Sequence, residues 1–163
     1  MIKTDNSFKL RNVNNSDKNQ LLEWANDIET RKWSFDSKPI TELEHKKWFN
    51  NKNIDENMTF WIFEYENTPS GVVRFEKYNK KFILHYQIAP QMRGKKLASF
   101  MLAQALKKLK KCCLVDEVYA FTYPENLASI KSLKKVGFNL FSNDGGKHCY
   151  SYRWRNKIEK EKK

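Results

Sequence analysis

Pro90-Gln91-Met92-Arg93-Gly94-Lys95-Lys96-Leu97-Ala98 separates two segments of unlike periodicity, and its reading decides the fold. Ahead of it, Phe82-Ile83-Leu84-His85-Tyr86-Gln87-Ile88-Ala89 is a short apolar, β-prone run. Behind it, Leu97, Met101, Leu102, Ala105, Leu106 and Leu109 recur at helical spacing. A strand that ends in a basic, glycine-containing turn and opens a helix is a device for binding phosphate. The first helical turn offers backbone N–H groups without intrahelical partners and a partial positive charge. Arg93, Lys95 and Lys96 add full charges. The expected ligand therefore carries a pyrophosphate held mainly by backbone.

Downstream, Glu117-Val118-Tyr119-Ala120-Phe121 reads as a strand, and Tyr123-Pro124-Glu125-Asn126 leads into a helix with Ile130 and Leu133 on one apolar face. Asn126 suits the N-cap of that helix and Gly137 a left-handed C-cap. Upstream, Phe8 to Val13 reads as a first strand, and Asn14 to Asp17 as a turn and cap. Leu21, Leu22, Trp24, Ala25 and Ile28 mark one helix. Thr41-Glu42-Leu43-Glu44 resembles a capping box, opening a second helix with Leu43, His45, Trp48 and Phe49. Met58 to Tyr65 is a second strand, Asn67 to Gly71 a turn, Gly71 to Glu76 a third strand and Phe82 to Ile88 a fourth. Three strands joined by tight turns before a βαβα half predict one α/β (α+β) domain. Its sheet is mixed and mostly antiparallel, with about six or seven strands flanked by about four helices. No repeat, linker or second domain interrupts residues 1–154, and 155–163 reads as a basic, disordered tail.

With 163 residues, 40% of them hydrophobic and including eleven Phe, seven Tyr and five Trp, the chain buries a real core and is not wholly disordered. No apolar run reaches the roughly 18 residues of a membrane span, and the N-terminus has no signal-peptide core. Cys112, Cys113 and Cys149 have no metal-ligand or CxxC spacing, so a reduced, cytoplasmic setting and no metal are expected. Lys and Arg outnumber Asp and Glu by 31 to 19, giving a formal charge of +12. That field attracts phosphates, nucleic acid or an anionic membrane. The same Lys- and Asn-rich composition also arises from an AT-rich genome. No RNA-binding aromatic signature, zinc-finger spacing or recognition helix is present, so no specific nucleic acid is expected.

Arg93-Gly94-Lys95-Lys96-Leu97-Ala98 resembles the Gln/Arg-x-x-Gly-x-Gly/Ala turn of the GNAT acyltransferases, with Arg93 and Ala98 fitting and Lys96 in place of the middle glycine. The substitution fits if Lys96 keeps ordinary helical dihedrals and conflicts if the backbone there needs a positive φ. The Tyr123-Pro124-Glu125-Asn126 turn and its helix up to Gly137-Phe138 are similar to the second half of the same signature. The resemblance implies a single-domain GNAT fold, with acetyl-CoA as the acyl donor and no metal. It implies cofactor contacts at Gln87, Ile88, Arg93, Gly94, Lys95, Lys96, Leu97, Ala98, Ser99, Asn126 and Ser129. Dimers are frequent in that family, so a homodimer is compatible with it.

Acceptor identity should lie between the first two helices. Trp33 and Phe35 flank Ser34, with Arg31 nearby, a set suited to stacking on a ring and pairing a phosphate. The alternative is that Trp24, Trp33 and Phe35 seal a core edge. Trp-x-Asn-Asp, Arg-x-Trp-Ser-Phe and Glu-His-x-x-Trp-Phe, with Val73-Arg74-Phe75, resemble GNAT domains of pseudaminic-acid-type sugar biosynthesis. That resemblance implies N-acetylation of a nucleotide-linked deoxy-amino sugar for bacterial surface glycans. It also implies acceptor contacts at Asn26, Arg31, Trp33, Ser34, Phe35, His45, Trp48 and Arg74.

Amide formation needs a neutral amine, a stabilised carbonyl oxygen and a proton for the departing thiolate. In the family a splayed fourth strand exposes a backbone N–H near the thioester, which here points to Gln87 or Ile88. His85 shares a strand face with Gln87, and its ordinary pKa of ~6.5 suits a base; Glu76, working through water, is a second candidate. Many GNAT enzymes place a Tyr five residues before the Phe of a Gly-Phe pair, where this chain has Leu133. Ser132, Tyr123, water or unaided departure takes its place. Two other functions remain open at this level: acetylation of a protein N-terminus or ribosomal protein, and a non-catalytic polyanion-binding module with a degraded site.

Overall fold

The computed structural model describes residues 7–154. In chain order the elements are β1 (Phe8–Asn12), α1 (Lys18–Ala25), α2 (Ile28–Trp33), α3 (Glu42–Asn53), β2 (Met58–Tyr65), β3 (Thr68–Tyr78) and β4 (Lys81–Ile88). The second half comprises α4 (Leu97–Cys112), β5 (Glu117–Thr122), α5 (Leu127–Val136), β6 (Asn139–Asp144) and β7 (Lys147–Arg153). Seven strands make one sheet in the order β1-β2-β3-β4-β5-β7-β6. Among the described residues only the β4–β5 pairing is parallel. The sheet is therefore the mixed, mostly antiparallel one expected from sequence. The tail expected to be basic and disordered, residues 155–163, lies outside the described residues.

Among the described residues five α-helices form where about four helices were expected, because the first splits. Asp27 adopts an extended ψ of 140° and accepts a hydrogen bond from the Thr30 N–H, ending α1 and capping α2. Ile28 is consequently 84% exposed instead of continuing the buried stripe. The β2–β3 hairpin also turns earlier than expected. Glu66 and Asn67 take positive φ (49° and 61°), as a tight two-residue hairpin turn demands, so Thr68 to Ser70 belong to β3. The Thr41/Glu44 capping box of α3 and the Asn126 and Gly137 caps of α5 form as the sequence predicts.

The sheet buries both faces. Val73, Phe75, Phe82 and Leu84 pack against Leu102, Ala105, Leu106 and Leu109 of α4 and Leu133 of α5. On the opposite face Phe60 and Ile62 meet Leu21 and Trp24 of α1 and Phe49 of α3. Because strand side chains alternate, β4 turns Phe82, Leu84 and Tyr86 toward α4 and α5, and Ile83, His85 and Gln87 toward α1–α3. That alternation gives the site two sides.

Candidate active site

The β4–β5 ladder runs from Lys81 opposite Glu117 to Leu84 opposite Ala120, and stops. Both strands continue, β4 to Ile88 and β5 to Thr122, without pairing to each other. The opening leaves backbone groups of β4 unpaired on one edge. Which groups they are follows from Gly71, where an added Cβ would lie 2.8 Å from the Gln87 carbonyl oxygen. That carbonyl faces β3, and the Ala89 N–H also turns there, donating to Ser70 O at 2.9 Å. Alternation then directs the N–H groups of Tyr86 and Ile88 into the opening. Of the two expected amide donors, Ile88 faces the gap and Gln87 does not. The Gln87 side chain instead donates to Trp24 O and to Thr30 Oγ1.

Just beyond β4, Gly94 has φ of 76° and Lys96 has φ of 60°. Of the two cases weighed for Lys96, the positive φ is the one that occurs. Two left-handed residues spaced two apart match the glycines of the turn pattern when it begins at Gln91, giving Gln91-x-x-Gly94-x-Lys96. Lysine at such a position costs about 1–2 kcal/mol relative to glycine, yet the turn geometry is retained. No side chain caps α4. Its first N–H groups, at Leu97, Ala98 and Ser99, are left for an anion, and Lys95 and Lys96 stand exposed beside them.

Arg93 does not point at that helix end. Its Nη2 contacts Asp27 Oδ2 at 2.6 Å and donates to Thr30 Oγ1 at 3.0 Å. The Arg93 hydrogen bond holds the Asp27 carboxyl below its ordinary pKa. Arg93 therefore ties the α1–α2 junction to the phosphate turn, and Thr30 receives both Arg93 and Gln87. Thr30 was missed in the sequence, where it carries no motif, and Asp27, the last residue of the Trp-x-Asn-Asp phrase, was given no role there.

Beside the opening, Tyr86 Oη lies 2.8 Å from Ser129 Oγ, bridging β4 to α5, and burial pushes its pKa up to about 12. Sequence reasoning missed this residue too, although the β4 alternation already assigns it to the helix side. Leu133, at the position where a Tyr was sought, is fully buried in the core. The Ser132 hydroxyl donates to Ala128 O, within its own helix. Asn126 uses its side-chain oxygen to accept from Ser129 N–H.

On the other face Arg74 and His85 are direct cross-strand partners. Glu76 Oε1 lies 3.9 Å from His85 Nε2, 3.7 Å from Arg74 Nε and 3.6 Å from Lys52 Nζ. His85 exposes 45% of its side chain, but it lies in the cleft, where burial desolvates it. That desolvation, with the positive charges of Arg74 and Lys52 outweighing Glu76, lowers its pKa to about 4. The imidazole is neutral throughout the neutral range. His45 is buried between Trp48 and Phe49, with its pKa lowered by burial, and packs in the wall.

Three expected acceptor contacts are spent on the α2–α3 loop itself. Arg31 donates to the carbonyls of Ala25, Asp36 and Lys38 and to Ser34 Oγ, while Ser34 donates to Thr30 O. Asn26 exchanges two hydrogen bonds with the backbone of Ile40. These residues brace the loop that carries the aromatics. Trp24 is core, whereas Trp33 is half-buried and Phe35 is exposed, and both line the cleft. Phe35 reaches across to Tyr123, edge to face at 5.0 Å, with Lys147 Nζ 3.9 Å from its ring centre. The resulting cleft, about 1300 Å³, joins the uncapped α4 end, the strand opening and the Arg74–His85 floor.

A gap between parallel strands, fed by a bare helix N-terminus on one side and a polar floor on the other, defines a protein that brings a phosphate-bearing donor to a second substrate. The acetyltransferase (GNAT) domain family matches residues 8–139, and the chain belongs to that family. Acetyl-CoA is accordingly its acyl donor, and the uncapped α4 turn and the unpaired Ile88 edge fit such a ligand. No curated protein matches the sequence. Among solved structures, a domain from Methanocaldococcus jannaschii aligns with a TM-score of 0.79 at 22% identity, covering 90% of this chain and 98% of that one. Spermidine N-acetyltransferase from Vibrio cholerae, in complex with CoA and spermine, gives 0.77 at 17% identity over 89% and 93%. The Campylobacter jejuni N-acetyltransferase PseH gives 0.70 at 14% over 91% and 99%. No helix among the described residues is long and apolar enough to cross a membrane, and they contain no metal-ligating cluster.

Proposed function

We propose that this acetyltransferase acetylates the amine of a nucleotide-linked deoxy-amino sugar. The observation that carries the proposal is the aromatic acceptor half of the cleft. Trp33, Phe35 and Trp48 line it, with Tyr123 packed against Phe35, and flat rings of this kind stack on sugar and base faces. The fold likeness to PseH is compatible with this reading and so is the cleft volume.

Acetyl-CoA supplies a thioester whose carbonyl carbon the amine attacks directly. Lys95, Lys96 and the first N–H groups of α4 hold the donor's pyrophosphate, and the Ile88 N–H stabilises the carbonyl oxygen as charge develops. His85, neutral and facing the acceptor side, takes the amine proton, directly or through water with Glu76. Tyr86 remains protonated at neutral pH and supplies a proton to the departing thiolate. Ser129 orients the phenol.

The test is CoA release in the presence of acetyl-CoA and a panel of UDP-linked amino sugars, polyamines and N-terminal peptides. Turnover confined to the nucleotide-linked amines is expected. Turnover with peptides alone would replace this reading by the protein-acetylating one.

A further inference from the structure

Arg74 is the anomaly of the cleft. Arg11, Arg31 and Arg93 all spend their guanidinium groups on protein oxygens. The Arg74 guanidinium makes no hydrogen bond to any described residue, and its Nε is buried without a partner. Glu76 stands at 3.7 Å from that Nε, too far for a hydrogen bond. Trp48 supports the guanidinium from below, with Cζ 5.0 Å from the ring centre. Burial lowers the Arg74 pKa, the mark of a cation whose lost hydration has not been replaced. A buried charged donor without an acceptor is costly, so an arrangement that keeps one in a ligand cleft calls for an anion. The stack on Trp48 holds the planar fork ready for the two oxygens of a phosphate or carboxylate.

We propose that Arg74 is an anion receptor in the acceptor half of the cleft, so that the enzyme acetylates amines bearing a phosphate or carboxylate in preference to neutral amines. The inference rests on the acceptor reading above and narrows it. Because Arg74 lies directly across from His85, the anion sits beside the proton-accepting imidazole. The groups that face this imidazole are Arg74 and Glu76 from β3 and Lys52 from α3. A bound anion cancels part of the positive field on His85 and makes it a stronger base at the moment an acceptor is present. A neutral amine leaves that field in place.

Matched acceptors test the idea: glucosamine as the neutral amine, glucosamine 6-phosphate and a UDP-linked amino sugar as phosphates, and muramic acid as a carboxylate. The expected result is a kcat/KM at least about tenfold higher for one of the charged acceptors than for glucosamine, with phosphate and carboxylate told apart by which arm gains. In Arg74→Gln that preference should fall by about 10- to 100-fold, the range of a charge-assisted hydrogen bond. Arg74→Lys should recover part of it, and acetyl-CoA affinity should stay unchanged in both. A second measurement follows the His85 imidazole by NMR during a pH titration of the CoA-bound enzyme, with and without UDP. Its pKa should rise with UDP in the wild type and not in Arg74→Gln. Equal acetylation of neutral and charged sugars would overturn the anion receptor while leaving the acceptor reading intact. An Arg74-dependent UDP effect without acetylation of any amino sugar would uphold the receptor and overturn that acceptor reading. A folded Arg74→Gln that keeps the preference would reduce Arg74 to a packing partner of Trp48.

Discussion

In the function proposed above, the two faces of β4 serve donor and acceptor with different materials. Toward α4 and α5, the donor side is built from backbone: an uncapped helix end, two left-handed turn residues and strand amides exposed where pairing with β5 stops. Tyr86 is the one polar side chain that β4 adds there. Toward α1–α3, the acceptor side is built from side chains on four separate segments: Arg74 and Glu76 on β3, His85 on β4, Trp48 and Lys52 on α3, and the aromatics of the α2–α3 loop. A backbone site tolerates sequence change, as Lys96 in a glycine position shows. A side-chain site changes its substrate with each replacement.

Substitutions at the junction of the two sides should have the largest effect. Gly71 lets β3, β4 and α4 meet, and a Cβ there would lie 2.8 Å from Gln87 O and 2.9 Å from Met101 Sδ. Gly71→Val should destabilise the fold by about 1–3 kcal/mol and reduce both donor and acceptor binding. Thermal unfolding alongside CoA titration checks this, and an unshifted midpoint would show that the strands separate freely.

Tyr86→Phe should lower kcat about tenfold while CoA affinity stays within about twofold, since a proton donor helps a thiolate depart but is not required. If CoA affinity falls in parallel, the phenol is a binding group and the division of labour on β4 needs revision. Arg93→Ala sharpens the same comparison. It removes the tie to Asp27 and Thr30, so acceptor KM should rise about five- to tenfold while CoA affinity changes less. The opposite pattern would mean that Arg93 leaves Asp27 to hold the donor.

The pH profile is a milder test. A histidine with a folded pKa near 4 gains no proton between pH 8 and 6. With a neutral amine, kcat/KM should show no His85 inflection in that range, only the ionisation of the amine. The unfolded chain protonates His85 near pH 6.5, so stability from this residue is present above that value and is lost as pH falls toward 4. Removing His85 should flatten that acid-side slope in chemical unfolding; an unaltered slope would place the burden elsewhere. Smallest of all, Lys96→Gly should raise stability by about 1 kcal/mol in thermal unfolding, because glycine accepts the left-handed turn at less cost, while CoA binds slightly more weakly for the loss of one charge beside its pyrophosphate.

Much of the donor side was legible in the sequence because local rules create it. A strand, a basic turn and an amphipathic helix follow one another, and the Asn126 and Gly137 caps mark α5 without tertiary information. What the sequence hid depends on distant contacts. Nothing local shows that Arg31 would be consumed by Ala25, Asp36 and Lys38, or that Arg93 would choose Asp27 over the helix end. The split of the first helix turned on one backbone angle at Asp27, and the shift of the hairpin turn on two at Glu66 and Asn67. Arg74 was visible as a candidate, but its unpartnered state is a property of the folded cleft.

The most direct test is a calorimetric titration with acetyl-CoA at moderate salt, where the +12 field is screened. The account predicts saturable one-to-one binding that polyphosphate fails to displace, because the strand opening and the α4 turn recognise the donor together. Absence of binding, or equal binding of polyphosphate, would contradict it and leave only a basic surface.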